Sequence, residues 1–377
     1  MRSVLRVGAV VAAMIALSSC YPEDVPTSAS TTTSAAAPTS VPTPEQRRLQ
    51  GMLAEGTRMA DVLALPTDID PEVTLYGRAG VLTSAMLVVM AGHSQEMKAV
   101  AERNGLLSGF ISHRTNGDRE RRKDLTHGVM RFPDADTATK AAEEFGDTAA
   151  SSPGLLQNEA QTPAPLPDAP ETRFSYLEDR GRFQGMAFTA VREYVIYTSV
   201  GATTRADLER IALRAIELQR PLLDDFRATP PADYPDLPYD PDGVYALAIG
   251  DGDAQRGAYR RRGAVLFAQD QPRAATLFGE VGLNAMANKD TTVYRTDDSS
   301  GAQRLGAALA EMQRELQPAP TAPGVASSSC RSDPQGGANS WFCVVTAGRY
   351  VGEIWAKTQD DAHRLLEEQH RVLLAAK

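Results

Sequence analysis

The histidines are the first residues to test for chemistry, because an imidazole can bind a metal ion or move a proton near neutral pH. The chain has five of them, and two, His363 and His370, flank Glu367 on one stripe of a predicted helix. A rise of about 1.5 Å per residue separates the two rings by about 10 Å along the axis, too far to share one zinc ion. The spacing predicts a solvated helix face and no metal site.

Serine and lysine residues do not match the spacings that nucleophilic catalysis uses. A hydrolase elbow has the form Gly-x-Ser-x-Gly; Ser199 is followed by Gly201, but Tyr197 stands where the first glycine belongs. Ser94 and Lys98 are one residue further apart than the Ser-x-x-Lys of penicillin-binding enzymes. We therefore predict no catalytic residue from motifs, although paired carboxylates that meet only in the fold leave little trace in a sequence.

Residues 250–253, Gly-Asp-Gly-Asp, begin like a dinucleotide-binding or calcium-binding loop. Gln255 occupies the position of the third glycine of the former, and the acidic ladder of the latter stops after Asp253. The segment is therefore interpreted as a turn, with a weak cation site as the alternative. The sequence predicts no cofactor.

The first cysteine, Cys20, stands where a lipid could be attached. A positive start with Arg2 and Arg6 precedes an uncharged apolar run at residues 7–17, which is as long as a signal-peptide core and too short to span a bilayer. The run ends in Leu-Ser-Ser-Cys, which resembles the lipobox of bacterial lipoproteins. We predict a signal peptide at residues 1–19 and lipidation of Cys20, palmitate included. The alternative is an ordinary signal peptide with a chance cysteine.

The segment after Cys20 is dominated by Pro, Ser, Thr and Ala up to residue 44. Such a composition cannot bury enough apolar surface to offset its ordering entropy, so it stays extended. It reaches at most about 80 Å, at about 3.3 Å per residue. We predict that residues 20–44 are an acylated cysteine and a linker, with O-glycosylation as an open alternative. The membrane, reached through Cys20, is then a partner, and the body lies on the extracytoplasmic face of the cell membrane.

The composition is that of a folded, acidic body. Hydrophobic residues make up 42% of the chain and charged residues 23%, and the net charge is −9. Removing Arg2 and Arg6 with the signal peptide takes the net charge of the mature chain to −11. This balance argues against nucleic acid as a partner.

The remaining cysteines, Cys330 and Cys343, form an even pair in a chain predicted to be exported. Such pairs are typical of disulfides. A metal site is the rival interpretation, but no histidine lies near the pair in sequence. A redox-active pair usually has the spacing Cys-x-x-Cys, which this pair lacks. We predict a structural disulfide.

Two stretches of the chain repeat in the same order, which bears on how the body is built. A short apolar strand ends in Phe132 in the first unit and in Phe267 in the second. A helix then ends in Phe145-Gly146 or in Phe278-Gly279, where glycine suits the left-handed residue that closes a helix.

The second half of each unit is a hairpin followed by a helix. The hairpins pass through Tyr194 and Tyr350, and helices follow that are capped by Thr204 and Thr358. A threonine three residues before an acid resembles a capping box. Each unit therefore consists of a strand, a helix, a hairpin and a helix.

This order predicts an α+β fold with two related lobes, each a mostly antiparallel sheet with helices packed on one face. The predicted domains are an N-terminal α+β domain at residues 45–229, a proline-rich connector at 230–243, and a C-terminal α+β domain at 244–377 that carries the disulfide.

Three segments resemble a family of actinobacterial, mycobacterial-type lipoproteins of unknown function. They are residues 80–86 (Gly-Val-Leu-Thr-Ser-Ala-Met), 101–110 (Ala-Glu-Arg-Asn-Gly-Leu-Leu-Ser-Gly-Phe) and 343–351 (Cys-Val-Val-x-x-Gly-Arg-Tyr-Val). The resemblance spans residues 50–375. It implies a two-part extracellular body on a lipid anchor, with a C-terminal disulfide, and it implies no reaction.

The leading hypothesis for function is a non-enzymatic cell-envelope lipoprotein that binds a ligand or an envelope protein partner, because a duplicated body offers a cleft between similar units. One alternative is a hydrolase acting on cell-wall or lipid substrates, which two converging buried carboxylates would support. Another is a structural accessory of an envelope complex, which a broad exposed apolar patch would support.

Overall fold

A computed structural model of the chain describes residues 42–91, 94–154, 159–251, 257–337 and 339–376. The first lobe contains, in chain order, helix α1 (Pro44–Met59), a 3-10 helix (Ala60–Val62), α2 (Pro66–Ile69), β1 (Leu75–Val81), α3 (Met86–Ala91), α4 (Gln95–Arg103), β2 (Ser108–Thr115), β3 (Asp124–Arg131), α5 (Ala135–Ser151), β4 (Thr162–Ala164), β5 (Arg173–Asp179), β6 (Arg182–Val191), β7 (Tyr194–Ala202) and α6 (Arg205–Asp225).

The connector after α6 contains a 3-10 helix (Pro231–Asp236). The second lobe follows with a 3-10 helix (Tyr245–Leu247), β8 (Ala258–Tyr259), α7 (Arg261–Val265), α8 (Gln271–Glu280), β9 (Leu283–Asn288), β10 (Thr291–Thr296), α9 (Ser299–Met312), β11 (Gln317–Ala319), β12 (Ser328–Ser332), β13 (Trp341–Ala347), β14 (Tyr350–Ala356) and α10 (Gln359–Ala375).

The described strands form two sheets with one topology. The first sheet has the order β1-β2-β3-β7-β6-β5-β4, and the second, followed from its own first strand, has the order β8-β9-β10-β14-β13-β12-β11. All paired neighbours in both sheets are antiparallel. The predicted α+β class with two related lobes is confirmed.

The hairpin half of the predicted repeat is found at the matched positions. Tyr194 of β7 pairs with Arg131 of β3, and Tyr350 of β14 pairs with Arg295 of β10. Helices α6 and α10 both begin after a threonine N-cap whose hydroxyl accepts an amide hydrogen bond from the residue three positions later. The sequence match therefore marked equivalent strands and equivalent helices.

The strand and helix half of the repeat was aligned wrongly. Phe132 directly follows strand β3, whereas Phe267 follows the short helix α7, so the two lie on different elements. Likewise Phe145 lies in α5 and Phe278 in α8. The register equates Phe132 with Thr296, the residue after Arg295, and equates α5 with α9. A short apolar run is ambiguous between a strand and a buried helix, which explains the error.

Helices lie on both faces of each sheet, which corrects the expectation that they pack on one face. Tyr197 of β7 shares a buried cluster with α5, whereas Val200 of the same strand shares one with α6. In the second lobe, Val351 of β14 packs with α9 and Ile354 with α10. Because side chains alternate along a strand, these pairs point to opposite faces. Strand β7, which has helices on both faces, is accordingly buried at eight of its nine residues.

A hydrophobic core continues from one lobe into the other. Phe110 of β2 lies with its ring centroid 5.9 Å from that of Tyr259 and 6.3 Å from that of Phe267. The rings of Tyr259 and Phe267 are 4.5 Å apart. Phe110 and Tyr259 belong to one buried cluster that includes residues of both sheets, and Phe267 packs against that cluster. The cleft expected between the units is therefore filled by side chains at this point.

A buried arginine reinforces the same junction. Arg114 of β2 is fully buried, and its terminal nitrogens donate to the carbonyls of Thr74 (2.7 Å), Gln269 (2.9 Å) and Ala268. Burial lowers the pKa of Arg114 to about 10. Losing the carbonyls of Gln269 and Ala268 would leave the buried guanidinium with fewer acceptors, which is costly. Arg114 therefore stabilises the contact between the two lobes.

Candidate functional site

The cysteines predicted to be modified are the first residues to locate. Cys330 of β12 and Cys343 of β13 are directly paired across the two strands and are joined by a disulfide with a Cα–Cα distance of 4.2 Å. Both side chains are buried, so the disulfide links two adjacent strands inside the core. Cys20, the predicted lipidation site, lies outside the described residues, as does most of the predicted linker.

The histidine stripe of α10 lies beside the loop before β12. His363 places its Nε2 2.9 Å from the carbonyl oxygen of Pro320. Across the described residues, no group of three or more His, Cys, Asp and Glu side chains is arranged to hold a metal ion. The Gly-Asp-Gly-Asp segment lies partly outside the described residues.

A buried imidazole at the centre of the first lobe makes two hydrogen bonds. His127 Nδ1 lies 3.2 Å from Thr198 Oγ1, and His127 Nε2 lies 3.0 Å from Gln219 Oε1. Because Gln219 Nε2 donates to Val62 O at 2.7 Å, its Oε1 must accept, and His127 therefore carries its proton on Nε2. Burial lowers the pKa of His127 to about 4.

This hydroxyl, imidazole and amide chain has the order of a catalytic relay but cannot act as one. The side chains of Thr198, His127 and Gln219 are all buried, so no substrate can reach the hydroxyl. The second lobe repeats the arrangement without a histidine: Thr291 Oγ1 donates to Gln369 Oε1 at 2.6 Å. Because the second lobe makes this contact with threonine in place of histidine, the hydrogen bonds of His127 serve the structure of the fold.

The buried carboxyl groups of the first lobe are bound by cations of this chain. Glu55 of α1 accepts from Arg131 Nη1 at 3.1 Å and from Arg58 Nη1 at 2.5 Å. Asp70, after α2, lies 3.5 Å from both Lys123 Nζ and Arg210 Nη2, and it shares these two cations with Asp207. Both buried carboxylates are therefore paired with positive charge.

A third carboxyl, Glu353 of β14, is half-buried under the second sheet. It accepts hydrogen bonds from Tyr294 OH and Trp355 Nε1, both at 2.8 Å. Burial raises the pKa of Glu353. Its two donors fix its position.

The feature with the geometry of a binding site is a groove beside α6, hereafter the α6 groove. Its volume is about 470 Å³, within the range of small-molecule sites. The lining residues come from α6 and from the loop before β5: Asp168, Ala169, Arg210, Leu213, Arg214, Ile216, Glu217 and Arg220.

The floor of the α6 groove is apolar and its rim is charged. Ala169 and Ile216 are each 4% exposed, and Leu213 is half-buried between them and solvent. The arginine side chains at positions 210, 214 and 220 are 51%, 43% and 44% exposed. The groove therefore offers apolar contact below and guanidinium donors above.

The three arginines are already positioned by carboxylates of this chain. Arg210 Nη2 lies 3.0 Å from Asp207 Oδ1, Arg214 Nη1 lies 2.8 Å from Glu217 Oε2, and Arg220 Nη2 pairs with Glu171. Such exposed pairs contribute little stability. Their consequence here is orientation, because each guanidinium is held at the rim of the groove.

A second, smaller groove of about 330 Å³ lies on the other side of the same loop. It is lined by α5 and by the edge strand β4 with its flanking prolines: Gly146, Asp147, Ala150, Pro163, Ala164, Pro165, Pro170, Thr172, Arg173, Phe174 and Ser175. It presents backbone and proline rings with few charges, and so offers less for a polar ligand to recognise.

The matched helix of the second lobe shows which features of α6 the fold requires. Aligning Gln219 with Gln369, which make the same contacts in the two lobes, places the arginines at 210, 214 and 220 opposite Asp360, Arg364 and His370. The apolar face is shared, since Ala212 and Ala362 are both buried. Only Arg214 has an arginine opposite it, so the row of three arginines is a property of the first lobe and not of the fold.

Sequence reasoning did not single out the α6 groove. Arg210 and Arg214 are spaced i, i+4 on the polar face of a predicted amphipathic helix, which by itself indicates only a solvated face. Asp168 and Ala169, which close the groove, come from a proline-rich segment far from α6 in sequence. Only the folded chain brings the two together.

A solved structure resembles part of this chain at low similarity. No curated protein matches this chain. Among solved structures, the extracellular domain of PknH from Mycobacterium tuberculosis matches with a TM-score of 0.31 and 11% identity, over 45% of this chain and 97% of that one. A likeness at that level carries no argument about this chain. In the described part of the chain, no helix has the length and apolar character to cross a membrane.

The family comparison covers nearly all of the folded body. The N-terminal part of the domain of unknown function DUF7373 matches residues 42–239, and its C-terminal part matches residues 239–376. Together the two matches take in both sheets and every helix named above. The chain therefore belongs to the DUF7373 family.

Proposed function

We propose that this protein is an exported lipoprotein of the bacterial cell envelope, anchored through lipid on Cys20, that binds a small ligand in the α6 groove without catalysing a reaction. The Leu-Ser-Ser-Cys sequence at residues 17–20 supports the anchor. The resemblance to actinobacterial lipoproteins supports the location of the body outside the cytoplasmic membrane.

The observation that carries the binding role is the α6 groove itself. An apolar floor formed by Leu213 and Ile216 beneath oriented guanidinium groups combines the two features by which proteins recognise small ligands. The groove lies on the first lobe, away from the filled junction at Phe110, so binding needs no opening of one lobe against the other.

The two alternative functions have less support. The described carboxyls at Glu55, Asp70 and Glu353 each have partners from this chain and line neither groove. The described large hydrophobic side chains that are exposed, Leu49, Leu75 and Leu374, lie on three different elements. Scattered exposed leucines are ordinary and give no broad apolar patch for an assembly.

The test is native mass spectrometry of the full-length protein extracted from its own membrane in mild detergent. We expect a small molecule to stay bound to the wild type and to be lost from Leu213→Trp, which fills the floor of the groove. The control is Glu367→Trp, at an exposed position of α10. Retention of the same molecule by Leu213→Trp, or no bound molecule in the wild type, would contradict the proposal.

A further inference from the structure

The charge of the α6 groove restricts what can occupy it. Three arginines line the groove, at positions 210, 214 and 220, against two carboxylates, Asp168 and Glu217. Counted over the lining residues alone, the net charge is therefore +1, and the carboxylates that hold Arg210 and Arg220, Asp207 and Glu171, lie outside the lining. A polyanion would meet the two carboxylates, and a cation would meet the arginines, so the balance favours a ligand with a single negative charge.

The guanidinium groups have donors to spare for such a ligand. Within the described chain, Arg214 is held through Nη1 alone and Arg220 through Nη2 alone. Arg210 contacts both of its carboxylates through Nη2. Each arginine has five N–H donors, so several remain that can bind a carboxylate or phosphate oxygen.

The spacing of the arginines locates the anionic group. Arg210 and Arg214 are one helical turn apart, about 6 Å along the axis, so both can contact one headgroup. Arg220 lies about 9 Å further along. The apolar floor at Leu213 and Ile216 lies between Arg210 and Arg220 along the helix. The apolar part of the ligand can be buried there.

We propose that the α6 groove binds a monoanionic amphiphile, a molecule with one carboxylate or phosphodiester group and an aliphatic body. The anionic group lies against Arg210 and Arg214, and the body lies along Leu213 and Ile216 towards Arg220. This proposal rests on the binding role proposed above and names its ligand class. The residues of α10 that match Arg210 and Arg220, Asp360 and His370, show that the fold forms without those two arginines.

The experiment uses the full-length lipoprotein in phosphatidylcholine nanodiscs, with empty nanodiscs subtracted. Octanoate, methyl octyl phosphate (a phosphodiester with one negative charge) and octanol are titrated separately by calorimetry. We expect at least one of the two anions to bind at least about tenfold more tightly than octanol, since a hydrogen bond to a charged group is worth about a tenfold or larger change in affinity. A preference for octanoate indicates a free fatty acid, and a preference for methyl octyl phosphate indicates a lipid-type phosphodiester.

Two charge reversals separate the groove from the surface in general. Arg214→Glu reverses a charge on the rim of the groove and should weaken anion binding by about 10- to 100-fold. Arg364→Glu makes the same change on α10 and should leave binding within about twofold. Circular dichroism of each variant confirms that it has folded.

Equal affinity for octanol and both anions overturns the proposal, and so does an equal loss from both variants. If none of the three probes binds while Leu213→Trp still releases the co-purified molecule, the ligand class is wrong and the binding role stands. If no molecule co-purifies and no probe binds, both proposals fail.

Discussion

Gln219 on α6 and Gln369 on α10 make the same contact in the two lobes. Each donates through Nε2 to the carbonyl of the last residue of a 3-10 helix, Val62 O at 2.7 Å and Leu247 O at 2.9 Å. Both glutamines are fully buried. Each also accepts a hydrogen bond through Oε1 from β3 or β10, so one side chain joins a helix, a strand and the segment that enters the sheet.

Replacing Gln219 by leucine should therefore be costly. The change leaves Val62 O, Ala64 N–H and His127 Nε2–H without their partner. We expect the free energy of unfolding to fall by about 3 kcal/mol, since each buried group left unsatisfied costs about 1–3 kcal/mol. Urea unfolding measures it, and Gln335→Leu, at an exposed loop position, is the control. A loss below about 0.5 kcal/mol would show that the network contributes little.

The buried imidazole predicts a pH dependence of stability. The pKa of His127 is about 4 in the folded protein and about 6.5 in an unfolded chain. Between these values the unfolded state binds more protons, so stability falls as the pH is lowered from about 6.5 to about 4. The full contribution is about 3 kcal/mol, at 1.36 kcal/mol per pKa unit.

The measurement is a series of urea unfolding curves over that pH window for the wild type and for His127→Thr. Threonine is the residue at the matched position of the second lobe, Thr291, and it does not titrate there. We expect the variant to show a shallower dependence on pH than the wild type, whatever its stability at pH 7. Identical slopes would mean that His127 is not the titrating group.

The disulfide should stabilise the second lobe by constraining the unfolded chain. Cys330 and Cys343 are 13 residues apart, and closing a loop of that size gives about 3 kcal/mol in the chain-entropy model. We expect the double variant Cys330→Ala, Cys343→Ala to lose about that much on urea unfolding. Titration of thiols in the unfolded, unreduced wild type provides the check: finding two free thiols there would refute the bond.

The proposed anchor depends on one sulfur atom. Cys20→Ala should remain unprocessed at the lipoprotein cleavage site and should not incorporate a labelled fatty acid, because the thiol is the acylated group. Metabolic labelling followed by immunoprecipitation measures this. Cys330→Ala is the control, since that cysteine lies in the folded body. Continued labelling of Cys20→Ala would show that the anchor is elsewhere.

How far the sequence could predict the fold depends on which residues carry the pattern. The threonine caps at Thr204 and Thr358 and the tyrosines at Tyr194 and Tyr350 identified equivalent helices and strands, and an N-cap is a position that favours threonine. The glutamine contacts show that α10 begins about one turn later in the fold than α6. Phe145 and Phe278 are only the core-facing residues of two amphipathic helices. Any such helix can repeat that spacing, and the resulting alignment equated α5 with α8.

The candidate site was less accessible to prediction than the fold. The charges at Arg210 and Arg214 are visible in the sequence, but exposed arginines on a helix are usually just solvated. What makes them a site is the loop carrying Asp168, whose position follows from the pairing of β4 with β5 at the sheet edge. Long-range pairing of that kind leaves no periodic signal in the sequence.

The ring cluster of Phe110, Tyr259 and Phe267 determines how this protein can be dissected in the laboratory. A fragment ending near residue 239 would leave Phe110 facing water, and would strip Arg114 of the carbonyls of Ala268 and Gln269 while keeping its charge. Such half-length fragments should aggregate or fold poorly. Assigning roles to the two halves therefore calls for point substitutions in the intact chain.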